Sequence, residues 1–137
     1  MATVVKYTHT PRRFSDGTLD WDTHTFKCAL LTSTYAPSAA HTVWTDVSAH
    51  EVPNGNGYTT GGVPLTGKVV TNTMIDCNDP SWVALAKTFR YAVFYKVGTD
   101  NGLTDPLVCY VDFGSNITAA GTDFVITIDS LGLLTLG

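Results

Sequence analysis

The most regular block of this chain runs Thr88-Phe89-Arg90-Tyr91-Ala92-Val93-Phe94-Tyr95-Lys96-Val97. Side chains of a β-strand alternate between its two faces, so large apolar residues at every second position mark a buried face. The predicted buried face carries Phe89, Tyr91, Val93, Tyr95 and Val97. Arg90 and Lys96 fall on the opposite face. The block therefore predicts a strand with one buried and one solvated face.

Similar short blocks surround this one, separated by turn residues rather than by long amphipathic helices. Strands are predicted at residues 25–32, 67–76, 107–113 and 122–129, and residues 98–102 form a loop or hairpin. A short helix is predicted within residues 38–47, and residues 82–86 form a short link or helical turn. Many short strands with such punctuation are typical of antiparallel sandwiches and barrels. We therefore expect an all-β fold, an antiparallel β-sandwich or its jelly-roll form, with at most one or two short helices.

A chain of 137 residues is expected to form one domain. Pro11 and the run Ser15-Asp16-Gly17 interrupt the N-terminal segment after a short β-type stretch. Residues 1–20 are therefore predicted to be an extended arm, and residues 21–137 a single β-sandwich domain.

Charge is unevenly distributed along the sequence. The net charge is −4, yet the first thirteen residues hold Lys6, Arg12 and Arg13 and no acidic residue. The rest of the chain is acidic, which argues against nucleic acid as a partner. No apolar run approaches the about 20 residues of a membrane span, and no secretory signal opens the chain. We therefore expect a protein that binds neither nucleic acid nor membranes.

Three cysteines, Cys28, Cys77 and Cys109, lie far apart and lack the spacing of a metal or redox motif. Two of them sit inside apolar blocks, which favours buried free thiols. Free thiols fit assembly in a reducing cytoplasm.

Candidate catalytic, cofactor and metal sites are weak throughout. His41, Asp46, His50 and Glu51 cluster in sequence, but their spacing matches no familiar ligand pattern. Asp20 and Asp22 flank Trp21, which favours a turn with Asx hydrogen bonds over a carboxylate pair around a sugar-stacking ring.

The glycine-dense residues 55–62 lack the lysine, hydroxyl and following helix of a phosphate loop, and no serine lies in a nucleophile elbow. We therefore predict no catalytic residue, cofactor or metal, and we expect the protein not to be an enzyme.

Several blocks have a distinctive composition: Leu19-Asp20-Trp21-Asp22-Thr23, Phe26-Lys27-Cys28-Ala29-Leu30-Leu31-Thr32-Ser33-Thr34-Tyr35, Glu51-Val52, Gly57-Tyr58-Thr59-Thr60-Gly61-Gly62, Leu65-Thr66-Gly67, Arg90-Tyr91-Ala92-Val93-Phe94-Tyr95-Lys96 and Tyr110-Val111-Asp112-Phe113-Gly114. In this order they resemble small virion structural proteins of tailed bacteriophages, over about residues 19–114. The N-terminal segment departs from the resemblance, since such proteins often begin with an apolar or helical stretch.

The resemblance implies a capsid decoration (cement) protein that binds the head exterior, with the major capsid protein as its partner. It also implies a place on the capsid surface of the virion, a stay in the host cytoplasm during assembly, and self-association as a dimer or trimer. A tail, baseplate or head-fibre component is the first alternative. A carbohydrate-binding module that uses Trp21, Trp44, Trp82 and the tyrosines is the second.

The expected contact residues lie mainly at the two ends of the chain. In the arm they are Val4, Lys6, Tyr7, Arg12 and Arg13, which would add a strand to a neighbour or meet acidic capsid loops. In the glycine-dense loop the expected contact is Tyr58, and in the apolar C-terminal run the contacts are Leu134 and Leu136.

Overall fold

A computed structural model describes residues 3–70 and 74–128 and, for residues 134–135, the backbone alone. It has an all-β fold built around one five-stranded antiparallel sheet, in the order β1-β9-β6-β2-β3. The strands are β1 (Thr3–Lys6), β2 (Phe26–Leu31), β3 (Val63–Pro64), β6 (Ser81–Lys96) and β9 (Leu107–Val125). The all-β prediction is therefore confirmed.

Shorter elements surround the central sheet. A second sheet contains β4 (Val69–Val70), β5 (Met74–Asp76) and β10 (Leu134–Thr135), in the order β10-β5-β4. A hairpin of β7 (Thr99–Asp100) and β8 (Leu103–Thr104) connects β6 to β9, as the glycine and asparagine residues there predict. Three-residue 3-10 helices occur at Trp44–Asp46 and Ser48–His50, in place of the helix predicted within residues 38–47.

The long β6–β9 hairpin corrects two strand predictions. Residues 82–86 were expected to form a link or helical turn, but they belong to β6 because they pair with the far half of β9. Residues 107–113 and 122–129 were predicted to be separate strands, yet Leu107–Val125 is continuous and contains Gly114 and Gly121. Residues 67–76 were predicted to be one strand and instead contain two antiparallel strands, β4 and β5.

A β-bulge corrects the predicted faces of β6. The pairing with β9 shifts register between Phe89 and Tyr91, which breaks the simple alternation. Phe89 packs in one core with Phe94, whereas Tyr91 packs in the other core on the opposite face. Lys96, predicted to lie on the solvated face, is only 5% exposed. The central strand is thus buried on both faces along its second half.

Two hydrophobic cores cover the two faces of the sheet. The larger core joins Phe26 and Cys28 of β2 to Trp21 and to Ile75 of β5. The smaller core joins Leu31 and Tyr95 to Tyr35 and Val47 from the segment before the glycine-dense loop. Each core removes aromatic and aliphatic side chains from water, which is the main stabilising contribution in such a domain. A β-sandwich or jelly-roll arrangement remains a prediction.

The N-terminal segment is folded into the domain rather than extended. β1 pairs with β9, with Thr3 opposite Asp112, and a short helix, α1 (Thr10–Ser15), follows it. Pro11 is compatible with the first turn of a helix, where an amide hydrogen has no intrahelical partner. Tyr7 is fully buried and Leu19 is 2% exposed. The predicted extended arm of residues 1–20 is therefore wrong for the described part of that segment.

Candidate interaction surfaces

The basic N-terminal residues differ sharply in their surroundings. Arg13 donates a hydrogen bond to Asp16 across 3.1 Å, and its side chain is 19% exposed. Arg12 is exposed, and its side chain forms no ion pair or hydrogen bond with the described part of the chain. Lys6 is half-buried at the end of β1. Arg12 is thus the cation of this segment most accessible to a partner.

A cavity of about 390 Å³ opens beside Arg12. Its wall is formed by two segments distant in sequence, with Thr8, His9 and Arg12 on one side and Ala39, Ala40 and Thr42 on the other. Two backbone hydrogen bonds hold the second side in place, from the Thr8 amide to the Ala39 carbonyl and from the Leu107 amide to the Thr42 carbonyl. No pattern in the sequence indicates that residues 39–42 lie against residues 8–12.

His9 has an unusual position in this wall. Its Nε2 lies 2.9 Å from the Leu107 carbonyl oxygen, and because a carbonyl only accepts, Nε2 carries the hydrogen. Its Nδ1 is buried and has no hydrogen-bond partner within the residues that the structure describes. Burial lowers the pKa of His9, with the hydrogen bond to Leu107 acting in the opposite direction. The sequence showed a histidine three positions before Arg12 but not its burial.

Tyr7 and Tyr58, predicted as partner contacts, are structural residues. The Tyr7 hydroxyl lies 3.0 Å from the Tyr35 hydroxyl in the smaller core. The Tyr58 hydroxyl donates to Glu51 across 2.6 Å and accepts from the Leu30 amide across 3.2 Å. Because Tyr7 is fully buried and Tyr58 is only 2% exposed, neither ring is available to a partner.

Glu51 and Tyr95 fix the remainder of the glycine-dense loop. A Glu51 carboxylate oxygen accepts the Gly61 amide hydrogen across 2.6 Å, and Tyr95 donates to the Gly61 carbonyl across 2.6 Å. Gly62 has φ +87° and lies directly against the backbone of Cys28 in β2. These hydrogen bonds and the close approach of Gly62 to β2 therefore hold the loop against the central sheet.

The residues first weighed for a metal site are engaged with other groups. His41 Nδ1 lies 3.0 Å from the Tyr35 hydroxyl, and His50 Nδ1 lies 2.9 Å from the Thr34 hydroxyl. Asp46 accepts the Thr42 backbone amide across 2.9 Å. Residues 3–70 and 74–128 contain no group of three or more histidine, cysteine and acidic side chains placed to hold a metal ion.

The acidic pair around Trp21 flanks a buried ring. Trp21 is 1% exposed and its Nε1 donates to the Asp76 carbonyl across 2.7 Å, while Asp20 and Asp22 are exposed. Hydrogen bonding, first of all from Thr23, lowers the pKa of Asp20. The Asp20 side chain thus has the turn-forming environment that the sequence favoured.

Exposed apolar side chains form a further set of possible contacts. Six valines are between 39% and 72% exposed: Val4, Val69, Val70, Val83, Val97 and Val125. Val4 belongs to β1, which lies at one edge of the five-stranded sheet. The backbone of Leu134 pairs with Ile75, and Leu136 lies outside the described residues.

The three cysteines are buried and unpaired, as predicted. In the described parts of the chain, no helix has the length and apolar character needed to cross a membrane. No protein-family model, curated protein or solved structure matches the chain.

Proposed function

We propose that this protein is a structural component of a tailed-bacteriophage virion, with capsid decoration as its role. One observation carries the proposal beyond the resemblance in sequence. Three of the blocks that resemble phage virion proteins are neighbours in space, since residues 26–31, 90–96 and 110–112 lie on the three adjacent strands β2, β6 and β9. These three blocks therefore form one contiguous structural unit.

Decoration would work by adhesion. A protein that binds the expanded shell and not its unexpanded form stabilises the expanded state by mass action. Such a role needs a rigid body with accessible contact groups on its surface. The two hydrophobic cores on opposite faces of the sheet make the domain rigid. The exposed valines and Arg12 are accessible contact groups.

The mode of docking differs from the one that the sequence first suggested. Because β1 and α1 are part of the domain, residues 3–15 would contact a neighbour as a folded surface rather than as an extended arm. Val4 at the sheet edge and Arg12 on α1 remain accessible. An edge strand is also a place where a partner strand can add to a sheet.

The tail, baseplate or head-fibre alternative uses the same fold and is distinguished by copy number. A carbohydrate-binding module has less support. Trp21 and Trp82 are 1% and 2% exposed, and Trp44 stacks on Tyr95 with ring centroids 4.5 Å apart. These indoles do not form an open platform for a sugar ring.

The test is quantitative mass spectrometry of purified phage particles. Isotope-labelled peptides of this chain and of the major capsid protein give the molar ratio between them. Decoration predicts that this chain and the capsid protein occur in comparable copy numbers. It also predicts that the chain is lost selectively when heads are removed from tails. A few copies that stay with isolated tails would refute decoration and favour the alternative, and absence from washed particles would refute the virion role.

A further inference from the structure

The cavity between α1 and residues 39–42 combines a mainly apolar wall with one accessible cation. Ala39 and Ala40 supply apolar surface, and Thr8 and Thr42 supply short polar side chains. Arg12 is the fully charged side chain in this wall, and its guanidinium has no partner in the described chain. A volume of about 390 Å³ is enough for a side chain of a partner, since small-molecule pockets begin near about 300 Å³.

The neighbouring charges leave Arg12 as the group that selects a ligand. Arg13 is already paired with Asp16, so its charge is largely compensated. An arginine presents a fork of N–H donors that matches a carboxylate, and such charge-assisted bonds are stronger than neutral ones. The chemistry at this position therefore favours an acidic group.

His9 lines the cavity but offers no ring nitrogen to an occupant. Its Nε2 bonds to the Leu107 carbonyl, and its Nδ1 is buried from solvent. Arg12 is therefore the charged group of this wall that a partner can reach.

We propose that this cavity binds an acidic side chain of a partner protein, with Arg12 as its ion-pair partner. Charge complementarity selects this occupant. An exposed guanidinium without a partner in the described chain favours a carboxylate. The proposal rests on the proposed function only for the identity of the partner.

Binding is tested with a blocked five-residue peptide that has a central aspartate, and with the same peptide carrying asparagine. The readout is the amide shifts of Thr8, Ala40 and Thr42 in the labelled full-length protein. We expect the aspartate peptide to shift these amides and the asparagine peptide to bind about tenfold more weakly, as for loss of a charge-assisted hydrogen bond. No shift with about 10 mM aspartate peptide, a range that covers weak millimolar binding, would overturn the proposal.

Two variants of equal charge locate the site. Arg12→Gln is expected to weaken aspartate-peptide binding about tenfold, because it removes the partner of the carboxylate. Lys68→Gln removes one positive charge away from the cavity and is expected to leave binding unchanged. Equal weakening by both variants would show a general charge effect and overturn the site.

Two further measurements distinguish this proposal from occupation of the cavity by a second copy and from the proposed function. Shifts of the same three amides that appear on concentrating the protein alone would show that a second copy fills the cavity, and would overturn the choice of a different partner. The particle measurement tests the virion role without reference to the cavity. Peptide binding with no copies in particles would therefore reject the proposed function and keep the site.

Discussion

Replacing Gly62 by alanine tests how strongly the glycine-dense loop is fixed against the central sheet. A Cβ at this position would lie 1.9 Å from the Cys28 carbonyl oxygen and 2.7 Å from the Ala29 Cα. Both atoms belong to the backbone of β2, which is paired on both sides, so neither can rotate away. The added methyl group must therefore displace the loop.

The expected loss of stability has two parts. A side chain at φ +87° costs about 1–2 kcal/mol on backbone grounds alone. Overpacking adds about 1–3 kcal/mol, and the upper end applies because the contacted atoms are backbone. The free energy of unfolding of Gly62→Ala should therefore fall by about 3–5 kcal/mol.

Gly17→Ala is the matched control. Gly17 has φ +84°, almost the same backbone strain, but a Cβ there would have nothing within 4 Å. Urea unfolding followed by tryptophan fluorescence and circular dichroism gives both free energies. Gly17→Ala should lose about 1–2 kcal/mol. If Gly62→Ala loses no more than Gly17→Ala, the close approach between loop and strand is refuted.

Three further results are expected. Tyr58→Phe should lower the free energy of unfolding by about 1.5–3 kcal/mol in urea, because it removes a hydrogen bond to the Glu51 carboxylate. Asp46 accepts the Thr42 amide, which lowers its folded-state pKa below the ordinary 3.8, so acid titration of unfolding should show stability present above pH 3.8 and lost as the pH falls below it. Burial raises the pKa of Cys77 to about 12, so Ellman's reagent should react slowly with the native protein and fast in urea, where all three thiols titrate.

Each of these results has its own control. Tyr110→Phe, at a half-buried ring whose hydroxyl has no hydrogen bond to the described residues, should change stability little, and an equal loss would contradict the assignment to Glu51. Asp46→Asn should reduce the height of the acid limb without removing it, because the pKa values of Asp16, Asp20 and Asp112 are also lowered by hydrogen bonds. A limb of unchanged height would exclude a contribution from Asp46. Rapid labelling of the native protein would show that the thiols are accessible.

The sequence predicted the class of the fold and its best strand, β2, because the apolar centre of residues 25–32 fits a strand covered on both sides. It failed on the faces of β6 because the bulge near Arg90 depends on the partner strand. It divided β9 at Gly114, although pairing with β6 carries the strand past this residue. Register between distant strands is a tertiary property, and local patterning does not determine it.

The candidate site was likewise predictable from the sequence only in part. The cluster of basic charge near Arg12 was visible in the sequence, since it depends on composition alone. The wall opposite Arg12 was not, because Ala39 and Thr42 carry no chemical signal and reach the cavity only through long-range backbone hydrogen bonds. Tyr58 was assigned to a partner because an aromatic ring in a glycine-rich loop gives no indication that Glu51 and Leu30 bind its hydroxyl.

The pairing of β1 with β9 determines when the fold can be completed during synthesis. Thr3 lies opposite Asp112, so β1 leaves the ribosome long before β9 and has no partner strand until β9 has followed it. The β6–β9 hairpin is closed by a short connection and can form first, after which β2 and β1 add to its two sides. A nascent chain truncated before residue 107 would therefore lack the strand that pairs with β1. The five-stranded sheet can be complete only after β9 has left the ribosome, so folding of the central sheet is delayed until the late part of synthesis.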